Sequence, residues 1–98
     1  MIVELVSFRT LETVDDSDFL SRAAAIEPFL ERREGYRCRR LLKCDGGLWL
    51  DYVEWDSMEF AENAMKQMES APEVGPFMSA IDPESISVKH HFAALIQG

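Results

Sequence analysis

Two kinds of side chain in this sequence could move a proton, a carboxyl and an imidazole. Asp51 falls between Trp49 and Val53 at alternate positions of the segment Leu48–Asp56 (LWLDYVEWD). Alternate residues of an extended strand share a face, so this acid is set among aromatic and aliphatic groups. Desolvation strengthens a carboxylate as a base, which would suit it to take a phenolic or enolic proton. The competing role is a salt bridge to Arg37, Arg39 or Arg40 on a neighbouring strand. His90 shares parity with Ile86, Val88 and Phe92, the apolar side of its segment. It reads either as a packed core histidine or as a pocket acid or base. His91 shares parity with Ser87 and Lys89 and reads as a surface or contact residue. Adjacent histidines on a strand point to opposite faces and cannot chelate one metal together.

Aromatic groups near Asp51 could hold a flat substrate. Trp49, Trp55 and Tyr52 are candidates to line an apolar pocket, and Arg9 or Tyr52 could steady developing negative charge. The tryptophans could equally be core or interface residues. Cys38 and Cys44 stand six residues apart on one expected strand. That separation is roughly 20 Å, too far for a disulfide, and no zinc-like spacing is present. No phosphate loop, nucleophile elbow or dinucleotide fingerprint occurs, so neither a metal nor a cofactor is expected.

The elements that must position these groups are legible from periodicity. Ile2–Thr10, Tyr36–Cys44, Leu48–Asp56 and Ile86–Leu95 are β-rich segments. Asp45-Gly46-Gly47 is a hairpin turn between the second and third. Phe19, Ala23, Ile26 and Leu30 recur at helical spacing, so Ser17–Arg33 is a predicted helix, with Pro28 expected to kink or tighten it. Acids at 15, 16 and 18 suit its start, and Gly35 its stop. Ser57 caps a second helix reaching Met68, with Met58, Ala61, Met65 and Met68 on its apolar stripe. The span 70–83, with three prolines, reads as a loop holding one short helical turn.

The order β-α-β-β-α-β within 98 residues predicts one α+β ferredoxin-like domain over residues 1–98, with both helices on one face of a four-stranded antiparallel sheet. The third strand is apolar on both parities, as is the first. A sheet with one wet face alternates more cleanly, so a second copy is expected to cover the other face in a homodimer. A formal charge of −8 argues against nucleic acid and against anionic membranes as partners. The third strand lacks the basic residues of an RNA-recognition module. With no spanning segment or secretory leader visible, the cytoplasm is the expected location.

Leu48–Ala64 (LWLDYVEWDSMEFAENA) resembles the matching segment of the antibiotic biosynthesis monooxygenase-like family, in the dimeric α/β-barrel superfamily. There the third strand ends in Trp, an acidic or polar residue and Ser, followed by a helix with spaced alanines and aromatics. Here these are Trp55-Asp56-Ser57, then Phe60, Ala61 and Ala64. The resemblance runs the length of the chain and implies a pocket between helices and sheet. It implies a cofactor-independent monooxygenase-like activity on a small aromatic or polyketide-like molecule, or a non-catalytic dimer that binds a small hydrophobic ligand. The haem-degrading branch would place His on the second helix and Asn on the first strand. Here the helix has no His, with Met65 near that position, and the first strand offers Ser7.

Overall fold

The computed structural model describes all 98 residues, and its strands obey the alternation in the sequence. β1 (Ile2–Arg9), β2 (Tyr36–Lys43), β3 (Leu48–Trp55) and β4 (Ser87–Phe92) form one antiparallel sheet in the order β2-β3-β1-β4. Ile2 and Phe8 of β1, with Trp49, Val53 and Trp55 of β3, are buried on the face that packs against the helices. This is the ferredoxin-like α+β arrangement. No helix is long and apolar enough to cross a membrane.

The helices begin where local chemistry starts them. Asp15 caps α1 (Asp16–Ala24) by accepting from the Asp18 N–H at 2.8 Å, and the acids at 16 and 18 sit at its positive end. The helix expected to run to Arg33 is two helices. Pro28 lies in the first turn of α2 (Glu27–Glu31), where its missing N–H costs no hydrogen bond; it starts a helix instead of kinking one. Ser57 caps α3 (Met58–Met68) by accepting from Phe60 N. The span 70–83 is more regular than expected: α4 (Gly75–Ser79) lies between 3-10 turns at Pro72–Val74 and Pro83–Ser85, each element with proline at its start. β4 stops at Phe92 rather than Leu95. Phe92 pairs with Ile2, the first residue of β1, and beyond it only the Ala93 N–H finds a carbonyl, that of Met1 at 3.0 Å, because β1 has no further residue to offer.

Gly35 joins α2 to β2 with φ +83, and a Cβ there would fall 2.7 Å from the Phe60 Cβ. Both the left-handed backbone and the close approach of α3 require glycine. Gly35→Ala should therefore lower the unfolding free energy by about 2–4 kcal/mol, adding left-handed strain to overpacking. Urea titration measures it, and a loss below about 1 kcal/mol would mean that Phe60 gives way freely.

The sheet's outer face carries Val3, Leu5, Leu48 and Leu50, all half-buried, and the exposed Leu42. The two-sided apolar character expected from the sequence is present in the structure.

Candidate functional site

The site begins with what α3 does not fill. Its buried face over the sheet is Ala61 and Ala64, side chains that leave space where leucine would close it. A cavity of about 190 Å³ lies there. Val6, Phe8, Val53 and Trp55 line it from the sheet, Ile26 and Leu30 from the α1–α2 region, Met65 and Met68 from α3, and Phe77 from α4. Met65, Met78 and Val88 also line it and are 39%, 45% and 41% exposed, so they mark its mouth. An apolar cavity of roughly 150 Å³ suffices to hold benzene; this one is the size of a single substituted ring.

Its polar lining is confined to Glu4, Arg39 and Asp51. Asp51 is the only charged side chain among the 17 buried residues. Arg39 reaches it from β2 with two hydrogen bonds of 2.8 Å, from Nε to Oδ1 and from Nη2 to Oδ2. The remaining Nη1 donates to the Ala23 carbonyl at 2.8 Å, tying the pair to α1. This is the bidentate geometry in which a buried ion pair is best compensated.

Glu4 stands on the same face of β1 as Ile2, Val6 and Phe8, and pairs across the ladder with His90 of β4. Glu4 Oε2 and His90 Nε2 are 2.8 Å apart, and their side chains are 12% and 19% exposed. The ring N–H donates when the carboxyl is ionised; a protonated carboxyl can donate to the ring instead. Burial raises the Glu4 pKa above 4.5, opposed by the hydrogen bond and charge of His90 and reinforced by the charge of Asp51. The Trp55 indole N–H also favours the Glu4 carboxylate, yet it completes no hydrogen bond with any protein group.

An acid whose pKa is higher folded than unfolded binds its proton more tightly in the native state. Glu4 thus costs nothing below the unfolded value of 4.5, and subtracts stability as pH rises from there through its folded pKa. Each unit of elevation is worth about 1.4 kcal/mol. Glu4→Gln should gain on the natural protein between mildly acid and neutral pH, while keeping an acceptor for His90. Denaturant midpoints across that range test this; a pH-independent difference would contradict it.

The structure brings Asp51 and Trp55 to the cavity and sets His90 behind Glu4, bonded to it but outside the lining. It separates the other three candidates from the cavity. Trp49 is buried beneath α1 against Phe19, ring centroids 5.0 Å apart. It stands six residues from Trp55, roughly 20 Å along a strand, too far to share a one-ring cavity. Tyr52 has the opposite parity and lies on the outer face, its hydroxyl donating to Glu54 at 2.7 Å. Arg9 is exposed at the end of β1, where its guanidinium donates to the Gly46 carbonyl and clips the hairpin turn. Sequence reasoning missed Glu4, although an acid at the parity of Ile2, Val6 and Phe8 carries the same pattern that singled out Asp51.

The fold and the cavity define a ferredoxin-like domain with a small apolar chamber between helices and sheet. No protein-family model and no curated protein sequence matches the chain. Its likeness is structural. It superposes on an antibiotic biosynthesis monooxygenase candidate from Bordetella bronchiseptica with a TM-score of 0.80 at 18% identity, over 96% of this chain and 97% of that one. It superposes on the N63A mutant of SnoaB, a cofactor-independent oxygenase from Streptomyces nogalater, with a TM-score of 0.77 at 14% identity, over 97% and 94%. The haem degrader MhuD from Mycobacterium tuberculosis, with two haems in its active site, gives 0.69 at 15% identity over the whole of both chains. The chain thus has the fold of the antibiotic biosynthesis monooxygenase-like proteins, as the resemblance in Leu48–Ala64 implied.

Proposed function

We propose that the chain is a member of the antibiotic biosynthesis monooxygenase-like family that oxidises a small aromatic molecule with dioxygen and no cofactor. The observation that carries this reading is a one-ring apolar cavity whose lining includes a carboxyl, Glu4, only 12% exposed and backed by the His90 imidazole. The volume favours the small aromatic over a polyketide-sized substrate. Glu4 with His90 takes the proton from a bound hydroxyl. Asp51, with both oxygens held by Arg39, positions that guanidinium beside the developing charge. Loss of the proton puts electron density on the ring carbon opposite the oxygen, and dioxygen adds there. One oxygen atom stays as a carbonyl. The other leaves as water with the ring hydrogen and the hydroxyl hydrogen, and the ring supplies all the electrons.

The lining does not fit a haem. It holds no His, Cys or Tyr, and a porphyrin is several times the size of a single ring.

Oxygen uptake with simple phenols, read together with quinone absorbance, tests the proposal. Uptake should match quinone formed, and Glu4→Gln should slow it by about a hundredfold or more. A second reading, a non-catalytic binding protein, is favoured by the closed pairing of Asp51 with Arg39, which a purely structural site would also show. A phenol bound and recovered unchanged, with no oxygen consumed, would establish that reading instead.

The same proposal places a second copy of the chain on the outer face, over Leu5, Leu48 and Leu50. Sedimentation should give a dimer that Leu50→Lys disrupts. The unpaired Cys38 and Cys44 suit the reducing cytoplasm.

A further inference from the structure

Glu4 is the one acid of the chamber with an oxygen to spare. Both Asp51 oxygens are held by Arg39, and the lining has no further group that carries a proton at neutral pH. Glu4 Oε2 meets His90 Nε2 at 2.8 Å, whereas Oε1 bonds to no protein group. His90 lies outside the lining, on β4, which is an edge strand of the sheet. Its second nitrogen, Nδ1, likewise has no protein partner. Trp55 Nε1 is the only buried side-chain nitrogen or oxygen left without one, so neither Glu4 Oε1 nor His90 Nδ1 is buried. The first opens to the chamber and the second to solvent. An imidazole with one nitrogen on a carboxyl and the other on water can pass a proton, because its two nitrogens exchange the roles of donor and acceptor.

We infer that His90 is a proton relay through which Glu4 exchanges its proton with solvent at the edge of the sheet. The inference rests on the proposed reading of Glu4 as the group that takes a proton from a bound hydroxyl, and adds where that proton goes. In the protonated pair the Glu4 Oε2–H donates to Nε2, and Nδ1 carries the ring hydrogen. Nε2 takes the carboxyl proton, Nδ1 gives its own to water, and the carboxylate is left accepting from Nε2–H. One proton has left and the ring has changed tautomer; the reverse steps reload Glu4. Burial raises the Glu4 pKa from 4.5, toward the imidazole range, which lowers the cost of transfer in either direction. No other route is on hand. Met65, Met78 and Val88 at the mouth carry no proton, and the Asp51 charge is countered by Arg39. Lys89 and His91 flank His90 with the opposite parity, so they face the other side of the sheet. His90 touches no substrate; it acts through Glu4, as a positioning residue that keeps the carboxyl in proton contact with solvent.

A pH jump on the complex with 4-nitrophenol tests the relay without any turnover. The probe is one substituted ring and changes colour when it loses its proton. Stopped-flow absorbance gives the rate at which the bound probe changes ionisation, and displacement by toluene gives the rate at which it leaves. In the natural protein the first rate should exceed the second, a comparison that needs no variant. His90→Gln keeps an N–H for Glu4 but cannot change tautomer, and should slow the colour change about tenfold or more, with affinity for the probe nearly unchanged. Added imidazole should restore the rate in His90→Ala, which leaves room for the ring. Thermal melts confirm that both variants fold. A colour change no faster than release, or equally fast in His90→Gln, would overturn the relay while leaving the aromatic chamber standing. Failure of the probe to bind would overturn both readings.

Discussion

Arg39→Met should lower the unfolding free energy at neutral pH by about 3–5 kcal/mol, because it leaves Asp51 buried with no opposite charge. The pair is enclosed on both sides: the Arg39 and Asp51 side chains are 9% and 10% exposed. Arg39 also donates to Ala23 and lies over the Phe77 ring, 5.4 Å from its centroid, so its loss loosens α1 and α4 from the sheet together. The diagnostic companion is the double variant Arg39→Met with Asp51→Leu. Replacing both charges with apolar groups of similar size is often neutral or better, so the double variant should recover most of the loss. Chemical denaturation of the three proteins measures the cycle. A single variant within about 1 kcal/mol of the natural protein would mean that water reaches Asp51, and the description of the ion pair as enclosed would fail.

Phe19→Ala carries an effect of the same size for a different reason. Phe19 is fully buried and meets three aromatic rings at centroid distances of 5.0 to 5.7 Å: Trp49, Phe77 and Phe8. Truncating a buried phenylalanine costs about 3–5 kcal/mol through lost transfer energy and the cavity left behind. Because Phe8 and Phe77 also wall the ligand chamber, the void should merge with it or let those rings move. Aromatic binding should weaken along with stability. Thermal unfolding followed by Trp49 and Trp55 emission checks the first, and toluene titration the second. A loss under about 1 kcal/mol would show that the four-ring cluster repacks without penalty.

The architecture was open to reading because it is written in periods. β-branched and aromatic runs marked β1 and β3, helical spacing marked the stripe from Phe19 to Leu30, and Asp-Gly-Gly marked the turn. What escaped were features that a period does not encode. Pro28 was compatible with a kink or a new helix, and only packing chose. The short helical turn expected in 70–83 is α4, but the 3-10 turns on either side of it were hidden among prolines that serve as helix starts. The site was half legible. Asp51 was found from its parity, and the Arg39 alternative was correct as geometry. Tyr52 could have been set aside by the same rule, since it alternates with Asp51 and must face the other way. Trp49 shares the parity of Asp51 but not its place along the strand; where α3 offers alanine and α1 offers Phe19 is a tertiary fact. Glu4 was legible and unread. Its pairing with His90 depends on the β1–β4 register, which no local pattern fixes.

The central claim is that the chamber between α3 and the sheet takes a single aromatic ring at Trp55. Two-dimensional ¹H–¹⁵N spectra follow the two indole N–H groups separately, and Trp55→Phe assigns them. Saturating phenol should move the Trp55 indole signal markedly and leave that of Trp49 nearly still. Two unmoved signals, or movement confined to Trp49, would contradict the account.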